Sequence, residues 1–230
     1  MSGPTQTDHQ PLRPGGIEVR VEENPPPVVA ALRNDLAARL EDDAFAEKTR
    51  RVRGVVSLRD ANTPQAATIT IGDHGVELRH GFESGAEVRA DLDLRGAGGA
   101  EIEGADEHPE LAGWLRALLD APAPEWPQAA ARFWETLSSM AGAPDALRVV
   151  ELESGEERWF GSRHGPAYEI HGPAEGLVEV FSGRLPVVDA AFAGKVLLRG
   201  TFPQLSVLTG AGFRVRYGPR AGRAAKAEDA

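Results

Sequence analysis

The spacing of apolar positions changes several times along the chain, and each change predicts an element. Val29, Leu32, Leu36 and Leu40 recur at intervals of three and four, one stripe of a helix, with Arg33, Asp35 and Arg39 outside it. Asn24-Pro25-Pro26-Pro27 precedes the stripe, so Asn24 is expected to cap the helix, Pro25 to occupy its first turn and Phe45 to continue its apolar face. From Val52 the period falls to two. Val52–Leu58 is the first expected strand. Ala67, Ile69 and Ile71 then alternate with Thr68 and Thr70, Gly72-Asp73-His74-Gly75 supplies a turn, and Val76, Leu78 and His80 alternate with Glu77 and Arg79. Val88, Ala90, Leu92 and Leu94 alternate with Arg89, Asp91 and Asp93, a fourth strand with one dry and one charged face.

Helical spacing returns in the middle. Leu111, Trp114, Leu115 and Leu118 predict a helix over Pro109–Leu119, and Phe133, Trp134 and Leu137 another over Trp126–Met140. With only Ala121-Pro122-Ala123-Pro124 between them, the two are expected to form a helical hairpin. Strands follow at Leu147–Leu152, Arg158–Phe160 and Ala167–His171, then helices over Pro173–Gly183 and Pro186–Phe192. A glycine-bounded strand, Gly194–Gly200, leads to a helix over Phe202–Leu208, and Phe213, Val215 and Tyr217 read as a closing edge strand. Without regular β-α alternation, the expected class is α+β, a mostly antiparallel or mixed sheet covered by helices. The turns at 72–75 and 153–156 echo each other, which hairpin chemistry explains locally without a duplication.

Composition narrows the function. With 25 Lys and Arg against 35 Asp and Glu, the net charge of −10 argues against nucleic acid and against an anionic membrane surface. The absence of cysteine excludes disulfides and thiolate chemistry. No apolar run approaches the roughly 18 residues of a membrane span, and the start lacks a signal-peptide core, so a cytoplasmic protein without stable membrane insertion is expected. Residues 1–16 and 220–230 hold too few large apolar side chains to offset the entropy of ordering and are expected to be a disordered leader and tail. The 230 residues thus leave 17–219 as one enlarged domain.

The order of parts resembles the sterol carrier protein domain, a lipid-transfer module. The resemblance rests on the leading helix from Val28, the strands at 52–58, 67–71 and 76–80, and Ala90-Asp91 in the strand at 86–94. It rests further on Leu177-Val178-Glu179-Val180-Phe181-Ser182-Gly183 and on Gly194-Lys195-Val196-Leu197-Leu198-Arg199-Gly200. It covers about residues 28–94 and 174–210, so residues 95–173 are expected to be an insertion that covers, lengthens or abolishes the ligand tunnel. The resemblance implies binding and carriage of a fatty-acyl or sterol-like ligand in that tunnel. Leu36, Leu40, Phe82, Val180, Phe181, Phe192, Leu205 and Leu208 are the candidates for its lining, although core packing accounts for each taken alone.

Other chemistry is thinly represented. His74 and His80 flank one hairpin and Asp91 and Asp93 lie on a neighbouring strand, but His80 shares the parity of the dry positions whereas the two aspartates oppose them. His108, His164 and His171 lack the spacing of a zinc site, so no metal is expected. Gly210-Ala211-Gly212 follows a helical segment, and Phe181-Ser182-Gly183 lacks the first glycine of a nucleophile elbow, so neither a phosphate loop nor a nucleophilic serine is expected. Lys48, Arg50, Arg51 and Arg53 follow a compensating acidic run, whereas Arg214, Arg216, Arg220, Arg223 and Lys226 face only Glu228 and Asp229. The expectation is therefore a noncatalytic carrier that needs no cofactor. The alternatives are an enzyme using His80, Asp91 or His171 on an apolar substrate, and an interaction module with a filled tunnel. In the latter, the helices around Trp114, Trp126 and Trp134 dock a protein partner or a second copy.

Overall fold

The computed structural model of the chain describes residues 16–61, 63–92, 100–120, 124–163 and 167–219. Nearly all of the expected leader, the expected tail, Asp93, Leu94 and His164 lie outside them. The architecture is α+β, with two mixed sheets. The chain divides into two compact units, the first running to Ala121 and the second from Pro122 to Arg220, each with its own apolar core. Where one enlarged domain over 17–219 is expected from sequence, the division falls inside the span 95–173 read as an insertion.

The first unit contains β1 (Val19–Val21), α1 (Pro27–Arg39), α2 (Asp43–Arg51), β2 (Gly54–Asp60), β3 (Ala66–Gly72), β4 (Gly75–His80), β5 (Val88–Leu92), β6 (Glu101–Glu103) and α3 (Pro109–Leu119). Its sheet order is β1-β4-β3-β2-β5-β6. The meander β2-β3-β4 is antiparallel, and β5 returns parallel to β2 with Val88 opposite Val56. The helix stripe is as expected: Val29, Leu32, Leu36 and Leu40 are all buried. Its start is not, because Asn24 stands outside the helix at φ 52° and α1 begins at Pro27. A residue before proline is disfavoured in the helical region, so three consecutive prolines push the start to the last of them. Phe45 belongs to α2, where Asp42 caps the helix by accepting from Ala44 N–H at 2.8 Å.

Two contacts hold this unit together. The Trp114 indole N–H of α3 donates to Thr49 Oγ1 of α2 at 2.9 Å, Thr49 donates to the Phe45 carbonyl at 2.8 Å, and the Phe45 and Trp114 rings stack 5.7 Å apart. At the sheet edge, β1 lies so close to the β3–β4 turn that a β-carbon on Gly75, at φ +117°, would stand 2.1 Å from the Glu18 carbonyl oxygen. Only glycine combines that backbone conformation with that approach.

The second unit contains α4 (Trp126–Ser138), β7 (Ala146–Glu151), β8 (Glu157–Gly161), β9 (Ala167–Gly172), α5 (Ala174–Phe181), α6 (Val187–Phe192), β10 (Leu197–Arg199) and α7 (Phe202–Tyr217). Its sheet order is β10-β9-β7-β8, with β7 antiparallel to β8 and parallel to β9. Leu147, Val149, Tyr168 and Ile170 share the face that joins α4, α5 and α7 in one core. Gly200 admits the Tyr168 ring, 2.1 Å from where its β-carbon would be.

Two expectations are corrected here. The helices expected to form a hairpin, α3 and α4, belong to different units, and Trp114 and Phe133 are buried in different cores. Each stripe is completed by its own unit's sheet and helices. The closing edge strand is instead the continuation of α7 through Tyr217. Phe213 and Tyr217 are four apart as well as alternating, and Leu208 and Ala211 turn into the core at helical spacing. Gln204 of the first turn accepts from the Thr201 N–H at 3.0 Å and sets where this helix begins.

Thr49→Val leaves the buried indole N–H of Trp114 without an acceptor and is expected to lower unfolding free energy by about 1–3 kcal/mol in denaturant titration. Gly75→Ala, by forcing β1 away from β4, is expected to cost at least about 1 kcal/mol in the same measurement.

Candidate functional site

The residues proposed for a tunnel lining are distributed over both units. Leu36 and Leu40 are packed in the first core; Val180, Phe181 and Leu208 are packed in the second, where Phe181 meets Phe133 edge-on at 5.3 Å between ring centres. Leu205 is half-buried against the second core. Phe82 is 38% exposed with the Arg59 guanidinium 5.2 Å from its ring centre, and Phe192 is 89% exposed. The tryptophans at 114 and 126 are buried and Trp134 is half-buried, stacked on Phe160 at 6.4 Å.

His80 and Asp91, considered for acid-base work, do not converge. The register His80–Ala67–Leu58–Ala90 puts His80 on one face of the first sheet, whereas Asp91, opposite Arg59, is on the other. The Arg59 guanidinium holds Asp91 in a two-point pair at 2.8 and 2.6 Å and keeps its carboxyl below the usual aspartate range. His171 is in the second unit. Among the described residues no group of His, Asp and Glu could hold a metal ion.

A cavity of about 290 Å³ opens beside the β3–β4 turn, lined by Ile17, Thr49, Arg50, Arg53, Asp73 and His74 among others. None of the proposed tunnel residues lines it. Most of its polar groups are engaged: Thr49 with Phe45 and Trp114, Arg50 with Glu47, and Arg53 with Asp73 and with the carbonyls of Arg50 and Val52.

The open face of the second sheet carries a polar row that the sequence reading missed. Arg199, Glu169, Arg148 and Trp159 lie opposite one another across all four strands. Glu169 accepts from Arg148 at 3.3 Å and pairs with His171 at 3.0 Å, contacts that hold its carboxyl below the ordinary glutamate range, the His171 bond contributing most. Arg148 also donates to Glu157 at 2.8 Å, and Glu157 accepts from the Trp159 indole. The signal was the parity of 146–151 and 167–172, where Arg148, Glu169 and His171 alternate with buried Leu147, Val149, Tyr168 and Ile170. These groups pair with one another except at Arg148 Nε, which is buried without an acceptor, and the row ties the four strands together.

Apolar side chains are left open most densely between α6 and the start of α7. Phe192, Leu197 and Phe202 are 89%, 64% and 84% exposed, and Val188, Ala191, Leu198, Leu205 and Val207 of the same run are only half-buried. The α6–β10–α7 run therefore forms an incompletely closed layer on the second core. Lys195, between α6 and β10, is tied to Glu179 of α5 at 2.7 Å, which anchors the run to the helix before it.

Comparison with protein-family models, with curated proteins and with solved structures finds no match to this chain. Among the described residues no helix is long and apolar enough to cross a membrane.

The buried Glu151 carboxylate closes the β7–β8 turn: it accepts from Ser154 Oγ and from the backbone N–H groups of Glu153, Ser154 and Ala174, and these bonds, the Ser154 hydroxyl first, depress its pKa. A depressed carboxylate stabilises the fold above its unfolded pKa, about 4.3 for glutamate, and that contribution disappears as pH falls through the lower folded value. Glu151→Gln is therefore expected to lower the thermal midpoint at pH 7, with the difference from the parent shrinking as pH falls below about 4. A constant difference across that range would contradict the assignment.

Proposed function

We propose that the protein is a noncatalytic binder and carrier of an apolar ligand of fatty-acyl or sterol-like chemistry, held against the α6–β10–α7 layer. The observation that supports this reading is the incompletely buried apolar surface of that layer, centred on Phe192, Leu198 and Leu205. It coincides with the part of the sequence, 174–210, that resembles the sterol carrier domain. Burying apolar surface releases about 25 cal/mol per Å², so an acyl chain laid on these side chains gains several kcal/mol without any charged partner. Placement of His80 and Asp91 on opposite faces of one sheet favours binding over acid-base catalysis.

Native mass spectrometry of freshly purified protein is expected to show a mass in excess of the chain, and solvent extraction to release an acyl or sterol-like compound. Phe192→Ser is expected to weaken uptake of a fluorescent fatty acid several-fold with the thermal midpoint unchanged, since the side chain is exposed. Absence of bound compound together with absence of uptake by the delipidated protein overturns the reading.

A further inference from the structure

The outward side of α7 is apolar where a surface helix is ordinarily polar. At about 100° per residue, Phe202, Phe213 and Tyr217 project within about 60° of one another, away from the buried Leu208 and Ala211. Phe213 is 53% exposed, and its ring centre lies 5.8 Å from that of Tyr217. Ser206 and Thr209 fill the stripe between the rings, and the helix contains no acidic residue. Arg214 and Arg216 flank the stripe on its two sides, and Arg214 has no acidic partner among the described residues.

Charge is segregated in the same direction. From Arg184 to Ala230 the chain carries eight Lys and Arg against three Asp and Glu, a net +5 in a chain of net −10. At physiological ionic strength the screening length is about 8 Å, so a surface approaching α7 meets chiefly the charges on the helix itself, which are Arg214 and Arg216 with no acidic residue, and not the chain total. Five of the seven large apolar side chains exposed among the described residues fall in this segment as well.

We propose that α7 is a peripheral docking helix whose aromatic stripe settles reversibly into an anionic lipid surface. A helix lying in a bilayer interface places aromatic rings at the boundary of headgroups and acyl chains, with a flanking arginine, here the exposed Arg214, reaching the lipid phosphates. The 16 residues of α7 extend about 24 Å, long enough to lie along such a surface. This docking goes beyond ligand carriage and does not rest on it, since the ligand reading is centred on Phe192 and Leu198, outside α7.

Sedimentation of the full chain with phosphatidylcholine vesicles, with and without about one-third phosphatidylserine, tests the proposal. The expected result is binding to the anionic vesicles alone, weakening as salt rises. Phe213→Ser and Arg214→Glu, both at exposed positions, are expected to reduce partitioning at least about fivefold with the thermal midpoint unchanged. Equal binding to neutral vesicles, no binding at all, or variants that bind as the parent does would each overturn it. So would a doubled solution mass in the absence of lipid that Phe213→Ser abolishes, which would make the stripe a contact between copies. Fatty-acid uptake separates the two readings: variants that lose vesicle binding but keep uptake leave the ligand reading standing, whereas a parent chain that binds anionic vesicles but takes up no fatty acid strikes the ligand reading alone.

Discussion

A strand that pairs parallel to the first strand of a hairpin cannot be reached by a tight turn, so the chain must cross the sheet to reach it. Both units are built on that crossing, β5 returning beside β2 and β9 beside β7. In the first unit the connection runs over the face opposite α1. It is fastened there by the Glu83 N–H donating to Ser57 Oγ at 2.8 Å and by Thr68 donating to the Gly81 carbonyl at 2.9 Å. Ser57 and Thr68 are buried for that reason, polar side chains on a face that is otherwise charged and solvated. The helices pack on the other face, and the apolar core forms between them and the sheet.

Much of this was legible in the sequence. Alternation located the strands, because a half-buried strand must place every second side chain in the core, and β3, β4 and β5 obey that rule with isoleucine, leucine and valine. Turn residues placed the hairpins. What was not legible is partnership. The spacing of α3 and α4 says that each has an apolar side and says nothing of which sheet completes it, and the short connection between them suggested a pairing that the two cores do not contain. The end of α7 failed for a related reason: Phe213, Val215 and Tyr217 satisfy a period of two and a helical spacing of four at once, and only the burial of Leu208 and Ala211 decides between them.

The candidate site shows the same limit more sharply. Phe192 and Leu208 are large apolar residues in segments that read alike in sequence, yet one is 89% exposed and the other fully buried. Exposure of an apolar side chain is a property of what fails to cover it, and a linear pattern carries no record of that. Charge behaves similarly. The chain total of −10 argued against anionic surfaces, but an average over 230 residues conceals a positive end.

The tryptophans divide unevenly between the cores. Trp114 is the one indole of the first unit, buried, stacked on Phe45 and hydrogen-bonded to Thr49, while Trp126, Trp134 and Trp159 all belong to the second. The first core thus contains a single native fluorophore with a defined hydrogen bond and a dry environment. With Trp126, Trp134 and Trp159 replaced by phenylalanine, its emission records whether α2 and α3 remain closed on each other.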